Sequence, residues 1–293
     1  MFTILVTGAH GQVASELKNL VKLSSDIKWI FFDRQEWDIS SVQKTEEILS
    51  AHQPNILINT AAYTKVDLAE KEPDMCYKIN TNSVQMMAIA CRKRGIKFIH
   101  FSSDYVFHAE TSAPIKEDSP LHPIGVYARS KAEAEALLTL ADPEAIIIRS
   151  SWIYSYYDHN FVKTMLKLGK SNIEIRVVND QIGSPTYAFD LANMLVVLVS
   201  RLREKGMDSV KGFFHYSNSG SLSWYDFACE IFEHCVMQVK VIPISTEIFN
   251  APAPRPKYSV LDCEKIKTTL NIDIPNWKDS LHHCLNRLKI DQG

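Results

Sequence analysis

A chain of 293 residues that is 46% hydrophobic and 23% charged can bury a sizeable core, as one large domain or as a domain with a smaller partner. Its 10 Gly and 12 Pro are too few for a linker-rich or collagen-like chain, and 10% aromatic residues are too many for a disordered one. Lys and Arg number 32 against 34 Asp and Glu; the net charge of −2 excludes a global field that would draw the protein onto nucleic acid or an anionic membrane, so any bound phosphate must be held by local geometry.

The first half alternates short apolar runs with helical stretches. Residues 2–7 read as a strand, 12–23 as a helix, 29–32 as a strand, 42–51 as a helix and 55–58 as a third strand. A long helix is expected over about 74–94, then a strand at 97–101, a helix at 127–140 and a fifth strand at 145–148. Near-continuous apolar strands separated by helices imply an α/β chain, a doubly wound parallel sheet of Rossmann type covered on both faces. Past residue 150 the beat loosens, with helical patterns at 160–169, 189–203, 224–234 and 277–288. Short strands at 173–177, 212–216 and 239–242 and a proline-rich loop at 251–256 break them up. The expected division is a dinucleotide-binding domain over 1–150 and, over 151–293, mainly a smaller α+β substrate-binding cap, some of whose elements return to the sheet.

Cys76, Cys91, Cys229, Cys235, Cys263 and Cys284 form no Cys-x-x-Cys pair. The N-terminus has no basic-then-apolar leader, and the longest apolar runs fall far short of the roughly 20 residues that span a bilayer. Free thiols, a cytoplasmic setting and no membrane partner are expected.

The first strand runs into Thr7-Gly8-Ala9-His10-Gly11-Gln12-Val13-Ala14 and then a helix. Gly8 and Gly11 allow a tight turn and close backbone approach to a pyrophosphate. Gln12 and Val13 open a helix whose free N–H groups and dipole favour an anion. Asp33, just after the second strand, is placed to accept hydrogen bonds from an adenosine ribose, whereas the adjacent Arg34 suits a 2′-phosphate, so NADH and NADPH both remain open. Asp38 and Ile39 are candidates to border the adenine, and Ala62, Tyr63 and Thr64 follow the third strand where a cofactor would pass.

Tyr127-Ala128-Arg129-Ser130-Lys131 is the sharpest constellation, and the one Tyr-x-x-x-Lys in the chain. Four residues apart on a helix, phenol and ammonium share a face, and a neighbouring cation is expected to lower the phenol's pKa towards useful proton exchange with a carbonyl or alcohol. The fourth strand ends in Ser102-Ser103-Asp104-Tyr105, which puts hydroxyls at the carboxyl edge of the sheet, where ligands of such folds bind.

Thr7-Gly8-x-x-Gly11, Ser103 and Tyr127-x-x-x-Lys131 resemble the extended short-chain dehydrogenase/reductase family. Ala61 to Asp67, Ser102 to Phe107, Ser151 to Tyr154, Asn179 to Thr186 and Arg255-Pro256 further resemble its dTDP-4-dehydrorhamnose reductase branch, over about residues 3–285. The resemblance implies reduction of the C4 ketone of dTDP-6-deoxy-L-lyxo-4-hexulose to dTDP-L-rhamnose with NADPH or NADH. It implies Tyr127 as proton donor, Lys131 on the nicotinamide ribose, the Ser103 hydroxyl on the substrate oxygen, and Ser103, Asp104 and Trp152 against the nucleotide-sugar. Arg255 has a use if the cap holds a nucleotide diphosphate, and otherwise is a solvated loop charge. The alternatives are a reductase of another 4-keto-6-deoxy nucleotide sugar, or a non-catalytic NADP-binding regulatory subunit of the methionine adenosyltransferase type.

Three departures from the family pattern stand out. Serine replaces the usual threonine at 103, and Ala128 and His108 stand where glycines are usual. Part of the family carries a magnesium site between subunits; Glu16 matches its first glutamate, but Phe189 occupies the second place, so no metal is expected. His10 and His282-His283-Cys284 lack a second ligand pair at zinc spacing and read as surface or packing residues; Trp224 to Phe227 reads as cap core. The chain is expected to act on a dTDP-sugar as a monomer or homodimer, without nucleic acid.

Overall fold

The computed structural model describes residues 1–23, 26–108 and 111–290. The first half consists of β1 (Phe2–Thr7), α1 (Gln12–Leu20), β2 (Ile27–Phe32), α2 (Val42–His52), β3 (Ile56–Asn59), α3 (Val66–Ala69), α4 (Pro73–Tyr77), α5 (Ser83–Arg94), β4 (Lys97–Ser103), α6 (Val126–Ala141) and β5 (Ile146–Ser150). There follow β6 (Ile153–Tyr154), α7 (Phe161–Gly169), β7 (Glu174–Val178), β8 (Ile182–Gly183), β9 (Thr186–Tyr187), α8 (Ala188–Lys205) and β10 (Gly212–His215). The chain continues with β11 (Leu222–Ser223), α9 (Trp224–His234), β12 (Lys240–Ile244), α10 (Thr246–Phe249), α11 (Glu264–Leu270) and α12 (Trp277–Ile290).

Six strands form one sheet in the order β10-β5-β4-β3-β1-β2, every neighbouring pair parallel. Apolar runs such as Ile146-Ile147-Ile148 are buried on both faces because helices cover both. Ile4, Val6, Ile58, Ile146 and Ile148 meet α1 and α8 on one side. Leu5, Leu57, Phe98 and Ile147 meet α2, α5 and α6 on the other. β1 lies between β2 and β3, and the helices that follow β1 and β2 pack on opposite faces. A crevice therefore opens at the carboxyl end of β1, where such sheets bind ligands.

The long helix expected over 74–94 is interrupted: α4 and α5 are joined through a π-helical turn at Lys78–Asn82. The first helix closes at Leu20 with a 3₁₀ turn over Val21–Leu23, and α11 and the two-residue strands carry no periodic signal. β10 extends the sheet beside β5, and α8 and α11 contribute Leu191, Leu195, Leu198, Ile266 and Leu270 to the core under α1. A third apolar cluster gathers α7, β7, α9 and α12 around Phe227, Ile231 and Leu281.

Candidate active site

Gly8 has a φ of +75°, which favours glycine, and a Cβ there would stand 2.9 Å from Thr60 Oγ1 and 3.0 Å from the Ala61 nitrogen. The segment after β3 is thus pressed against the turn. The Gly11 N–H donates to the Gly8 carbonyl at 2.8 Å, and α1 then starts with no side-chain cap and no acidic residue in its first turn. Gln12 holds the Ile153 carbonyl through Nε2 at 3.4 Å while its buried Oε1 has no partner. Open first-turn amides, an orphaned carboxamide oxygen and a cradle that a Cβ would fill together fit a dinucleotide pyrophosphate.

Asp33 lies beside this turn, His10 Nε2 standing 3.3 Å from one carboxylate oxygen while the other accepts from the Gln35 and Glu36 amides. The Glu36 amide leads in holding its carboxyl below the usual range. Arg34 and Asp38 are exposed. The Ile39 side chain, 6% exposed, packs with Trp37, Ile48 and Leu49 in the core, so Asp38 alone of that pair presents its side chain outward. Ala62, Tyr63 and Thr64 lie along the segment beside Gly8. Its backbone is clamped by Asn80 of the π turn, which accepts from the Tyr63 N–H at 2.8 Å and donates to the Tyr63 carbonyl at 3.1 Å.

Asn80 also reaches Ser130 Oγ at 3.1 Å, and Thr81 Oγ1 donates to the Ser130 carbonyl at 2.8 Å. Both anchor α6, whose first turn is capped from outside by Glu70, accepting from the Val126 N–H at 2.7 Å. This helix carries Tyr127 and Lys131. Lys131 Nζ is buried and donates to the Phe101 carbonyl of β4 at 2.6 Å. Ser103, at the end of β4, lies near enough to the Tyr127 phenol to bear on its ionisation; its own hydroxyl donates to Asp104 Oδ1 at 2.8 Å and accepts from the Tyr105 N–H at 3.2 Å. The Tyr127 ring meets Tyr105 edge-on, 5.5 Å between centroids.

The structure reverses one electrostatic expectation. Burial drives the Tyr127 phenol above its ordinary pKa, and the nearby Asp104 charge adds to the rise, whereas Ser103 opposes it. Helical spacing puts Lys131 on the same face, but its ammonium is turned to the Phe101 carbonyl, and burial pushes it down to about 8. Tyr127 is therefore held as a protonated phenol. Asp104, 1% exposed, is pushed up to about 6 by burial, and its Oδ2 has no partner in hydrogen-bonding range.

Trp152 follows β5 with a φ of +48° and lies flat on Trp224, with ring centroids 3.6 Å apart and planes 11° apart. A Cβ on Gly183 would stand 2.6 Å from the Trp152 ring, so this glycine makes room for it. Trp224 is thus a stacking partner as well as cap packing. Arg255 is committed within the chain, its guanidinium 2.9 Å from Asp67 Oδ2 and 2.8 Å from the Ala253 carbonyl; this ties the proline-rich loop to α3 on the Tyr105 side of the cleft. Glu16 is fully buried and paired with Arg287 at 2.9 Å and Ser155 at 2.8 Å. His282 bonds Glu230 and Cys284 is core; among the described residues no group of three or more His, Cys, Asp or Glu could hold a metal. The carboxyl edge of the sheet thus brings together Gly8, Gly11, Ser103, Asp104, Tyr127, Lys131 and Trp152. Glu70, Asn80 and Trp224 support them; Trp224 stands out in the sequence only as cap core, Glu70 not at all, and Asn80 only by being polar within an apolar helical pattern.

Residues 2–290 match the family model described as RmlD substrate binding domain. The chain is 38% identical to dTDP-4-dehydrorhamnose reductase of Aggregatibacter actinomycetemcomitans over 288 residues, 96% of this chain and 97% of that one. It is also 38% identical to the spore coat polysaccharide biosynthesis protein SpsK of Bacillus subtilis (strain 168), over 97% of each. Among solved structures, dTDP-4-dehydrorhamnose reductase from Bacillus anthracis str. Ames in complex with NADP superposes with a TM-score of 0.91 at 37% identity, over 98% of this chain and 100% of that one. No helix among the described residues is long and apolar enough to cross a membrane.

Proposed function

The chain belongs to the RmlD, or dTDP-4-dehydrorhamnose reductase, family, and from that premise we propose how its own residues carry out the reaction. It is an oxidoreductase that reduces the C4 ketone of dTDP-4-dehydro-6-deoxy-L-mannose to the alcohol of dTDP-L-rhamnose. When bound, the reduced nicotinamide dinucleotide, NADPH or NADH, supplies the two electrons and one hydrogen that the ketone carbon gains. The second hydrogen reaches the oxygen as a proton from Tyr127.

The observation that carries this reading is the docking of α6 on the end of β4, where Lys131 holds the Phe101 carbonyl and Tyr127, one helical turn away, packs on Tyr105 beside Ser103. Ser103 hydrogen-bonds the ketone oxygen and keeps it against the phenol. A phenol held protonated by burial is in the form an acid needs at the outset. Lys131 holds the nicotinamide ribose, and the Gly8–Gly11 turn with the open end of α1 holds the pyrophosphate. Asp33 and Arg34 lie at the adenosine end. Residues 1–150 supply these groups, while Trp152, stacked on Trp224, faces the nucleotide-sugar with Asp104. Arg255 reaches the same ligand only by exchanging its Asp67 pairing for a phosphate. Six cysteines without a disulfide suit a reducing cytoplasm. Every group named comes from one copy of the chain.

The test supplies the purified protein with NADPH or NADH and the dTDP-4-keto sugar made by an upstream 3,5-epimerase. It follows loss of reduced nicotinamide and assigns the product's C4 configuration by proton NMR. A rhamno product supports the reading; a talo product, or no turnover with either cofactor, overturns it.

A further inference from the structure

Lys131 sits on a nearly dry floor, 2% exposed. One helical turn further along α6, Glu135 is 1% exposed, and Arg149 of β5 grips both its oxygens, Nε to Oε1 at 2.8 Å and Nη2 to Oε2 at 2.7 Å. The guanidinium is itself sandwiched, 4.8 Å from the Phe107 ring centroid and 4.5 Å from that of Phe213. Its Nη1 donates to the Glu117 carbonyl at 2.9 Å and lies 3.3 Å from His215 Nε2. A buried row of ammonium, carboxylate and guanidinium thus leads away from the cleft. Stability alone does not explain such a row, since well-packed apolar residues commonly serve as well as a buried ion pair.

Each element packed on Lys131 presents a group to it. α6 itself offers Glu135, α4 the Cys76 thiol, and β4 the His100 imidazole and the Phe101 carbonyl. Burial keeps the Cys76 thiol and the His100 ring neutral. Of these groups Glu135 is the one carboxylate, and its two-point ion pair with Arg149 fixes where its charge sits.

We propose that Glu135 is a positioning residue for the reduction: the fixed counter-charge that keeps Lys131 protonated on the dry floor of the cleft, its carboxylate oriented by Arg149. The inference rests on the role given above to Lys131. Burial alone works against the ammonium, and the Glu135 charge leads the influences that oppose the loss of its proton. A neutral Lys131 would lose both its charge and a donor towards the ribose.

The experiment uses Glu135→Gln, which keeps the shape and one acceptor for Arg149, and the double variant Glu135→Met/Arg149→Met, which removes both charges without leaving either unpaired. Protein labelled with ¹³Cε-lysine is titrated without cofactor, the Lys131 resonance being assigned by its loss in Lys131→Met. The Lys131 midpoint is expected to fall by about one unit in Glu135→Gln and by less in the double variant, since Arg149 repels the same ammonium from further off. The alkaline limb of kcat/KM falls with it. A purely structural Glu135 would lower the unfolding temperature and leave the midpoint in place; a midpoint that stays within about 0.2 unit in whichever variant folds overturns the proposal. A midpoint that moves while the alkaline limb does not leaves the counter-charge standing and refutes the role of Lys131 instead.

Discussion

Replacing Tyr127 by phenylalanine separates the chemistry from the fold, because the structure gives the hydroxyl little else to do. Its ring packs edge-on against Tyr105, 5.5 Å between centroids, and phenylalanine keeps that contact. Ser103, the polar neighbour that bears on the phenol, keeps Asp104 Oδ1 and the Tyr105 amide after the change. Even one neutral hydrogen bond is worth only about 0.5–1.5 kcal/mol, and relief of a poorly solvated hydroxyl offsets part of that, so stability should change by less than about 1 kcal/mol. Removing a positioned acid costs roughly 10²–10⁴ in rate, about 3–5 kcal/mol of barrier at 1.36 kcal/mol per decade. Steady-state loss of NADPH at saturating sugar nucleotide, beside a urea unfolding curve, measures both. The expected pattern is a kcat at least about a hundredfold down with KM within about threefold, since the phenol acts on charge that develops only as the bond forms. A variant keeping more than about a tenth of the parent kcat would show that the proton comes from elsewhere.

Gly8→Ala must adopt a left-handed φ and meet Thr60 Oγ1 at 2.9 Å, so a loss of about 2 kcal/mol in denaturant unfolding is expected, with NADPH affinity falling alongside in a fluorescence titration. Thr60→Ala in that background should restore part of the stability, and a cycle with no coupling would refute the contact. Asp104 has a folded pKa of about 6, above the usual 3.8, so the folded state binds the extra proton and stability falls as pH rises through the window between those values. Asp104→Asn should flatten that fall, about 3 kcal/mol at most, in urea curves taken across the window; parallel parent and variant profiles would refute the shift. Arg287→Met leaves Glu16 buried without its cation, and unfolding measurements should show a loss of about 3–5 kcal/mol, whereas a loss below about 1 kcal/mol would mean that solvent reaches Glu16.

The sheet was legible because its strands are apolar on both faces, so Ile4 to Val6, Ile56 to Ile58 and Ile146 to Ile148 stand out as short unbroken runs. The glycine turn and the ends of β3 and β4 were legible for a related reason. They are contiguous in the chain, and their place at the carboxyl edge follows from strand direction alone. Supports that join distant segments were not. Trp152 meets Trp224 across the cap, Glu70 caps a helix that begins at Val126, and Asn80 acts from inside a π turn whose sequence continues an ordinary helical pattern. None of these pairings leaves a periodic trace. That the Ile39 side chain turns into the core was not legible either, because a position just past a strand says which end of the sheet it occupies and nothing about which way its side chain turns.

The reversed sign at Tyr127 follows from the same limit. Four-residue spacing gives the angle between phenol and ammonium around α6, but the pKa depends on depth and on where the ammonium points, and neither is written in the spacing. With Lys131 turned to the Phe101 carbonyl and Asp104 close by, the cleft without cofactor favours the protonated phenol. That state suits one direction of the reaction. Reduction needs a proton ready to give to a forming alkoxide, a base stronger than any phenolate, so a raised pKa costs little driving force and keeps the donor loaded. Oxidation of an alcohol would instead need the phenolate at the outset, which burial and the Asp104 charge both disfavour. The residues around Tyr127 thus bias proton transfer towards the alcohol, and Asp104→Asn should ease formation of the phenolate, measurable as a faster reverse reaction at alkaline pH.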